Sequence, residues 1–263
     1  MAERVLLLFL CISLALAGCK NEPYETGELS IVTLVNKESG GATQTFTYSG
    51  GKLSTYSSRS ATVNHTMEFF YRGDEIDSVL SDSSTFSFSI TRFYYNGSDV
   101  TDSTFLFPMD TLSADEDTVI YHIVDTTLVS TRVITYNADE TPAKVKTTTW
   151  NESIQTDVEV DITWENGNIS RLFTTTKTGE TVVLKDVIAE YDDKKSIYTK
   201  RKEYIYTLPT TKDIFWLSAN NPVMFNDGTG EKGYSYSYNR LGYPSAFTSN
   251  VGTKYGMTYH QVP

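Results

Sequence analysis

Three histidines, His65, His122 and His260, and two cysteines, Cys11 and Cys19, are the imidazoles and thiols from which this chain could build a reactive centre. The histidines lie far apart, with no His-x-x-His or His-Glu-x-x-His spacing, so the sequence encodes neither a metal site nor a nucleophile–base pair. His122 falls inside an alternating stretch and reads as a structural strand residue. Asp115-Glu116-Asp117 could attract calcium, but it lacks the spaced oxygen ligands of a dedicated loop and reads as a solvated turn. Carboxylate pairs for glycoside hydrolysis could be drawn almost anywhere among 33 acidic residues, so none is singled out. Gly228-Thr229-Gly230 lacks the strand-to-helix context of a phosphate loop and reads as a turn. The expectation is a protein with no catalytic residues, no metal and no cofactor, which binds rather than catalyses.

The thiols have another use. An apolar run from Val5 to Ala15 follows Arg4, is too short to cross a bilayer, and closes on Leu16-Ala17-Gly18-Cys19. That ending resembles the bacterial lipobox, whose cysteine is lipidated and becomes the first residue of the mature chain. An ordinary secretory signal cleaved near Ala17 would use the same small residues. On the lipobox reading, residues 1–18 are the signal peptide, residues 19–27 the lipidated Cys19 and a polar tether, and residues 28–263 a single β domain. Several acyl chains would anchor stably, at about 0.8 kcal/mol per buried methylene. No thiol then remains for a disulfide, so the domain must be held by its apolar core.

A net charge of −11 and a pI near 4.8 argue against nucleic acid, which requires a basic stripe, and against electrostatic adhesion to anionic lipid. The membrane partner is therefore reached through the anchor alone.

The elements that carry these residues are announced by a recurring unit. Phe46-Thr47-Tyr48-Ser49-Gly50-Gly51-Lys52-Leu53 returns as Phe69 to Ile76, as Phe93 to Val100 and as Ile162 to Ile169. Looser copies run from Ile134 to Pro142 and from Tyr236 to Pro244, and Ala189 to Asp193 starts another. Each reads as a hairpin: apolar, polar, aromatic, a turn rich in Gly or Asn, then an aliphatic residue. With Gly50-Gly51 as the loop, Ser49 pairs with Lys52 and Tyr48 with Leu53, so Phe46, Tyr48 and Leu53 share the core face. The next apolar residue, Tyr56, Val79 or Leu172, lies an odd number of positions on, which predicts a bulge. Wider gaps after Tyr95 and Tyr191 are expected to hold degenerate hairpins, one using Thr118 to Ile123. Helix signals are nearly absent, apart from one short turn over Lys212 to Leu217. The predicted fold is all-β: an antiparallel meander of repeated hairpins in a strongly curved sheet or partial barrel, with little helix.

Phe70 and Tyr94 stand where other copies carry Thr47, Thr135, Thr163 or Ser237, so they point away from the core face. With Phe86 or Phe88 and Phe105 or Phe107 they could form a second apolar face. Either the sheet folds back over that face, or it is an open platform for a glycan or protein ligand. A curved sheet cupping an apolar cavity, in a lipid-handling or structural envelope protein, is the alternative architecture for function.

The hairpin unit resembles the YD-type repeats of large bacterial surface proteins. The whole mature chain is similar to Bacteroidetes-type outer-membrane lipoproteins of unknown function, in its lipobox, its hairpins and its late segments Leu217 to Pro222 and Tyr236 to Pro244. The resemblance implies a lipid-anchored location in the outer membrane. Lys20-Asn21-Glu22 is similar to the signal that sends such proteins to the cell surface, with Asn21 where an acidic residue is common, so the periplasm-facing orientation stays open. Asp77-Ser78-Val79, Asp110-Thr111-Leu112, Asp117-Thr118-Val119 and Asp125-Thr126-Thr127 resemble the group's O-glycosylation site, which requires a loop.

Overall fold

The computed structural model describes residues 29–84, 87–115, 118–123, 125–151, 154–198, 203–208, 211–226 and 230–261. The segment read as a signal peptide, Cys19 and the segment read as a tether lie outside these, as do Phe86, Glu116, Asp117 and residues 227–229.

The first hairpin is β2 (Thr43–Ser49) with β3 (Lys52–Arg59), and its register is the one the sequence predicts, Tyr48 opposite Leu53 and Ser49 opposite Lys52. Its neighbours are β4 (Asn64–Arg72) with β5 (Glu75–Ser84) and β6 (Ser87–Asn96) with β7 (Asp99–Asp115). Then come β8 (Thr118–Ile123), β9 (Thr127–Tyr136) with β10 (Pro142–Asn151), and β11 (Ile154–Glu165) with β12 (Asn168–Thr178). The series ends with β13 (Thr181–Lys195) and β14 (Asn220–Asn226), then β15 (Glu231–Tyr238) and β16 (Pro244–Ser249). Turns are built as the composition requires: Asn166 and Gly167 both have positive φ, 52° and 78°, the geometry of a two-residue hairpin loop.

The curved sheet is a closed barrel. β1 (Leu29–Asn36) pairs with β2 on one side and on the other with β17 (Lys254–Gln261), so the two ends of the described chain meet as a hairpin without a turn. Met257 faces Leu34 and Tyr259 faces Ile31, the same apolar–aromatic pattern as the other units. β8 stands aside from the ring, since it pairs only with the distal half of β7 while β9 pairs with the proximal half. Sixteen strands thus close, in sequence order, with eight repeat units around the ring.

The predicted bulge is present and explains the repeat aromatic. Register slips after Leu53, Ile76, Ile169 and their equivalents, putting Tyr56 opposite Phe46, Val79 opposite Phe69 and Leu172 opposite Ile162. A bulge leaves main-chain groups outside the ladder. The next unit's aromatic takes the carbonyl just before each bulge: Tyr48 donates to Ile31 O (2.7 Å), Tyr71 to Leu53 O (2.8 Å) and Tyr95 to Ile76 O (3.0 Å). Trp164 Nε1 donates to Pro142 O (2.8 Å) and Tyr191 to Ile169 O (2.7 Å). Each of these aromatics, half-buried except for the exposed Tyr95, therefore stands in one unit and latches the unit before it. The β6–β7 unit has no bulge, and there Asp102 falls opposite Phe93 in a position that is apolar elsewhere. Its buried carboxylate is met by Arg132 Nε at 2.7 Å, and the guanidinium lies 4.7 Å from the Tyr206 ring centre.

A ring of this many strands leaves a lumen too wide for wall side chains to fill. The lumen is occupied by the described parts of the connection between β13 and β14, residues 196–198, 203–208 and 211–219, a correction to the expectation of another hairpin after Tyr191. It contains one helical turn, α1 (Tyr204–Thr207), and a 3₁₀ turn over Thr211–Leu217, where the sequence predicted a short turn. Tyr198, Tyr204 and Trp216 pack with Phe46, Leu53, Phe69 and Phe247, while Ile205, Ile214 and Phe215 pack with Ile134, Val160, Ile169 and Leu172 on the other wall. The plug is thus the second layer of the core. Facing outward are Thr47, Glu68, Lys146, Asp161, Thr163, Arg171 and Glu190, all exposed. The outer wall is nevertheless mixed, since Val182, Leu184 and Ile188 of β13 also face outward and are exposed, whereas a lipid-facing wall carries a continuous apolar band.

Candidate functional site

The aromatic positions singled out in the sequence fall on the outer wall of β4 to β9. Phe69, Val79 and Phe93 point inward, so alternation sends Phe70 and Tyr94 outward, and they are 48% and 57% exposed. β5 lies between their strands, with Ser78 and Arg92 between the two rings. Beyond them, cross-strand register aligns Leu80, Ile90, Phe105 and Leu128 in one row, and the next row pairs Phe88 with Phe107. The Phe88 and Phe107 rings stack at 4.9 Å and 5°. Of the alternatives at two pairs of positions, Phe88 and both Phe105 and Phe107 join the face, while Phe86 lies outside the described residues.

The inner face at this height is mixed, with Ser81 opposite Ser89 between Met67 and Leu106, and Thr91 Oγ1 2.8 Å from Thr104 Oγ1. Along β5–β7 apolar residues thus lie mainly inward near the repeat turns and on both faces toward the opposite rim. Among the described residues no second layer of sheet lies over this outer face, and Glu68, Asp82 and Arg92 border it with charge.

A second feature was not legible in sequence. At the rim opposite the repeat turns, the plug meets β15, β16 and β17 in a cleft of about 360 Å³. Trp216 from the plug lies 5.5 Å from Tyr234 and 5.4 Å from Phe247 between ring centres, and Tyr255 stacks on Phe247 at 4.3 Å. Asp213, Lys232 and Asn250 supply polar groups at its edge. Burial raises the pKa of Tyr234 and Tyr255, and the Asp213 carboxylate adds to both shifts, so these phenols stay neutral hydroxyls at physiological pH. Trp216 gave no sequence signal because it sits in a short aperiodic stretch whose partners are remote strands.

At the repeat-turn rim a cavity of about 470 Å³ is lined by Tyr71, Tyr95, Tyr136 and Tyr206 with Glu203. Burial is the main reason the Tyr95 phenol is pushed up to about 12. Tyr71 and Tyr95 are committed to the carbonyl latches, so this cavity is walled by structural hydroxyls.

The histidines are not brought together. His65 Nδ1 lies 3.1 Å from Asp82 O, His260 is on β17, and the His122 side chain lies outside the described residues. Among the described residues no three His, Cys, Asp or Glu side chains gather as a metal ligand set. Asp77-Ser78-Val79 lies within β5, whereas Asp125 and Thr126 occupy an exposed connection before β9.

No family model matches the chain, and no curated protein matches it in sequence. Among solved structures, a porin-like protein from Bacteroides vulgatus ATCC 8482 aligns over 89% of this chain and 99% of its own, with a TM-score of 0.52 at 10% identity. A porin-like protein from Bacteroides uniformis ATCC 8492 gives 0.46 at 13% identity over 89% and 99%. At this identity the likeness is one of fold.

Proposed function

We propose that this is a non-catalytic lipoprotein of the outer membrane, held by lipid on Cys19, that binds a protein or glycan ligand through aromatic surface on its outer wall. The observation that carries the proposal is the outward row of Leu80, Ile90, Phe105 and Leu128, with the Phe88–Phe107 stack beside it and the rings of Phe70 and Tyr94 across Ser78 and Arg92; Phe70, Tyr94 and Leu128 are exposed and the others half-buried. An apolar cluster with charged residues among and around it has the composition of an interface core and rim. A filled lumen and charged outward positions favour a barrel that works as a surface over one that conducts.

Where the domain begins supports one orientation on the membrane. Leu29 opens β1 at the repeat-turn rim, and the ten residues back to Cys19 reach at most about 36 Å. Lipid on Cys19 would hold that rim toward the membrane and turn the aromatic rows and the cleft away from it. The cell-surface orientation is the one in which those surfaces meet extracellular ligands.

The alternative of a lipid carrier with an apolar cavity finds less support, because the plug fills the space such a cavity would occupy.

The test is a Phe70→Ser, Tyr94→Ser double variant in the producing cell. Mildly solubilised wild-type protein is expected to migrate on native gels as a larger complex, and the variant as free protein with an unchanged melting temperature. Identical migration of the two, at equal stability, would contradict the proposal.

A further inference from the structure

The cleft between the plug and β15–β17 has a chemistry different from that of the outer face. It is concave, and at about 360 Å³ it falls in the size range of small-ligand sites. Its walls combine rings with the aliphatic side chains of Leu34, Ile197, Leu208 and Val251: the buried Trp216 and Tyr234 meet edge to face, with 70° between their planes, and Tyr255 covers Phe247 with one face while lining the cleft. Its rim is polar and of both signs, with the Asp213 carboxylate, the Lys232 ammonium and the amide oxygen of Asn250, whose Nδ2 donates to Glu231 O at 3.0 Å.

Each alternative ligand class meets an obstacle. A purely apolar ligand would desolvate Asp213 and Lys232 without giving them hydrogen bonds. An anion would approach a chain of net charge −11 and find Asp213, with Glu38 acting on Tyr255 from the side. A pyranose ring presents a face of C–H groups to aromatic walls and a rim of hydroxyls that both donate and accept. Among these classes, that pattern alone satisfies the walls and the rim together.

We infer that this cleft is a carbohydrate site, taking a neutral pyranose unit of an oligosaccharide against Trp216, Tyr234 and Tyr255, with its hydroxyls met by Asp213, Lys232 and Asn250. The inference rests on the reading that this protein binds ligands through aromatic surface, but it uses different residues from the outer face. The plug then has two tasks, since Trp216 and Asp213 belong to the segment that fills the lumen.

Calorimetric titration of the mature chain with maltotetraose, cellotetraose, mannotetraose and chitotetraose tests it. At least one of these is expected to bind, and Tyr255→Ala to weaken that binding about tenfold or more. Lys232→Ala, at an exposed position, should weaken it in the same direction and serves as the readout if Tyr255→Ala does not fold. The Phe70→Ser, Tyr94→Ser variant should bind the sugar as wild type does. Binding of none of the four sugars, or binding unchanged in both cleft variants, overturns the inference. Sugar binding lost in the outer-face variant but kept in the cleft variants also overturns it, while leaving the outer face as a ligand surface.

Discussion

The residue that departs most clearly from the repeat is Asp102. Bulged units place Tyr56, Val79, Val145 or Leu172 at the equivalent inward position. The β6–β7 ladder runs without a slip, and the position falls to a carboxylate that is 2% exposed. Burial raises the Asp102 pKa, and the Arg132 guanidinium pulls it back down. Removing one member of such a pair strands the other charge, whereas replacing both with apolar groups is often neutral. Asp102→Ala is therefore expected to cost about 3 kcal/mol in urea denaturation, and Asp102→Val with Arg132→Met within about 1 kcal/mol of wild type. A double variant as unstable as the single one would show that the pair is worth more than the apolar contacts it displaces. Phe70 and Tyr94 were legible at this scale, because a period of two fixes which face a side chain takes. Whether that face was covered was not, since a covering layer comes from elsewhere in the chain.

At the scale of elements, the hairpins could be read because every unit carries its own turn residues and its own aromatic. Spacing announced even the bulges: Leu53 to Tyr56 and Ile169 to Leu172 are odd steps that only an extra residue reconciles with one core face. The plug escaped because its apolar residues follow neither period and find partners only after the ring has closed. Lys195 and Asn220 at its two ends are register partners, so the plug is an insertion into what would otherwise be an ordinary hairpin. Phe215 in the plug is fully buried, and Phe215→Ala is expected to cost about 3–5 kcal/mol. Phe70→Ala on the outer wall should stay within about 0.5 kcal/mol. Equal costs in thermal or urea melts would mean that the plug is not the core of the barrel.

Over the whole molecule, closure depends on a unit without a turn, in which β1 and β17 supply the two halves of the repeat from opposite ends of the domain. That pairing spans nearly the full described length, which is why the sequence predicted curvature but left open whether the sheet closes. Closure sets the working geometry: a solid barrel, the rim bearing Leu29 at one end, the cleft at the other, and an aromatic face on the outside between them. Of these surfaces, the outer face is the one proposed to bind the ligand. A photo-crosslinking amino acid placed at Tyr94 in living cells tests it directly, with Thr163 on the polar outer wall as the comparison position. A discrete crosslinked species is expected from position 94 and none from position 163. Equal crosslinking from both positions, or none from either, would contradict it.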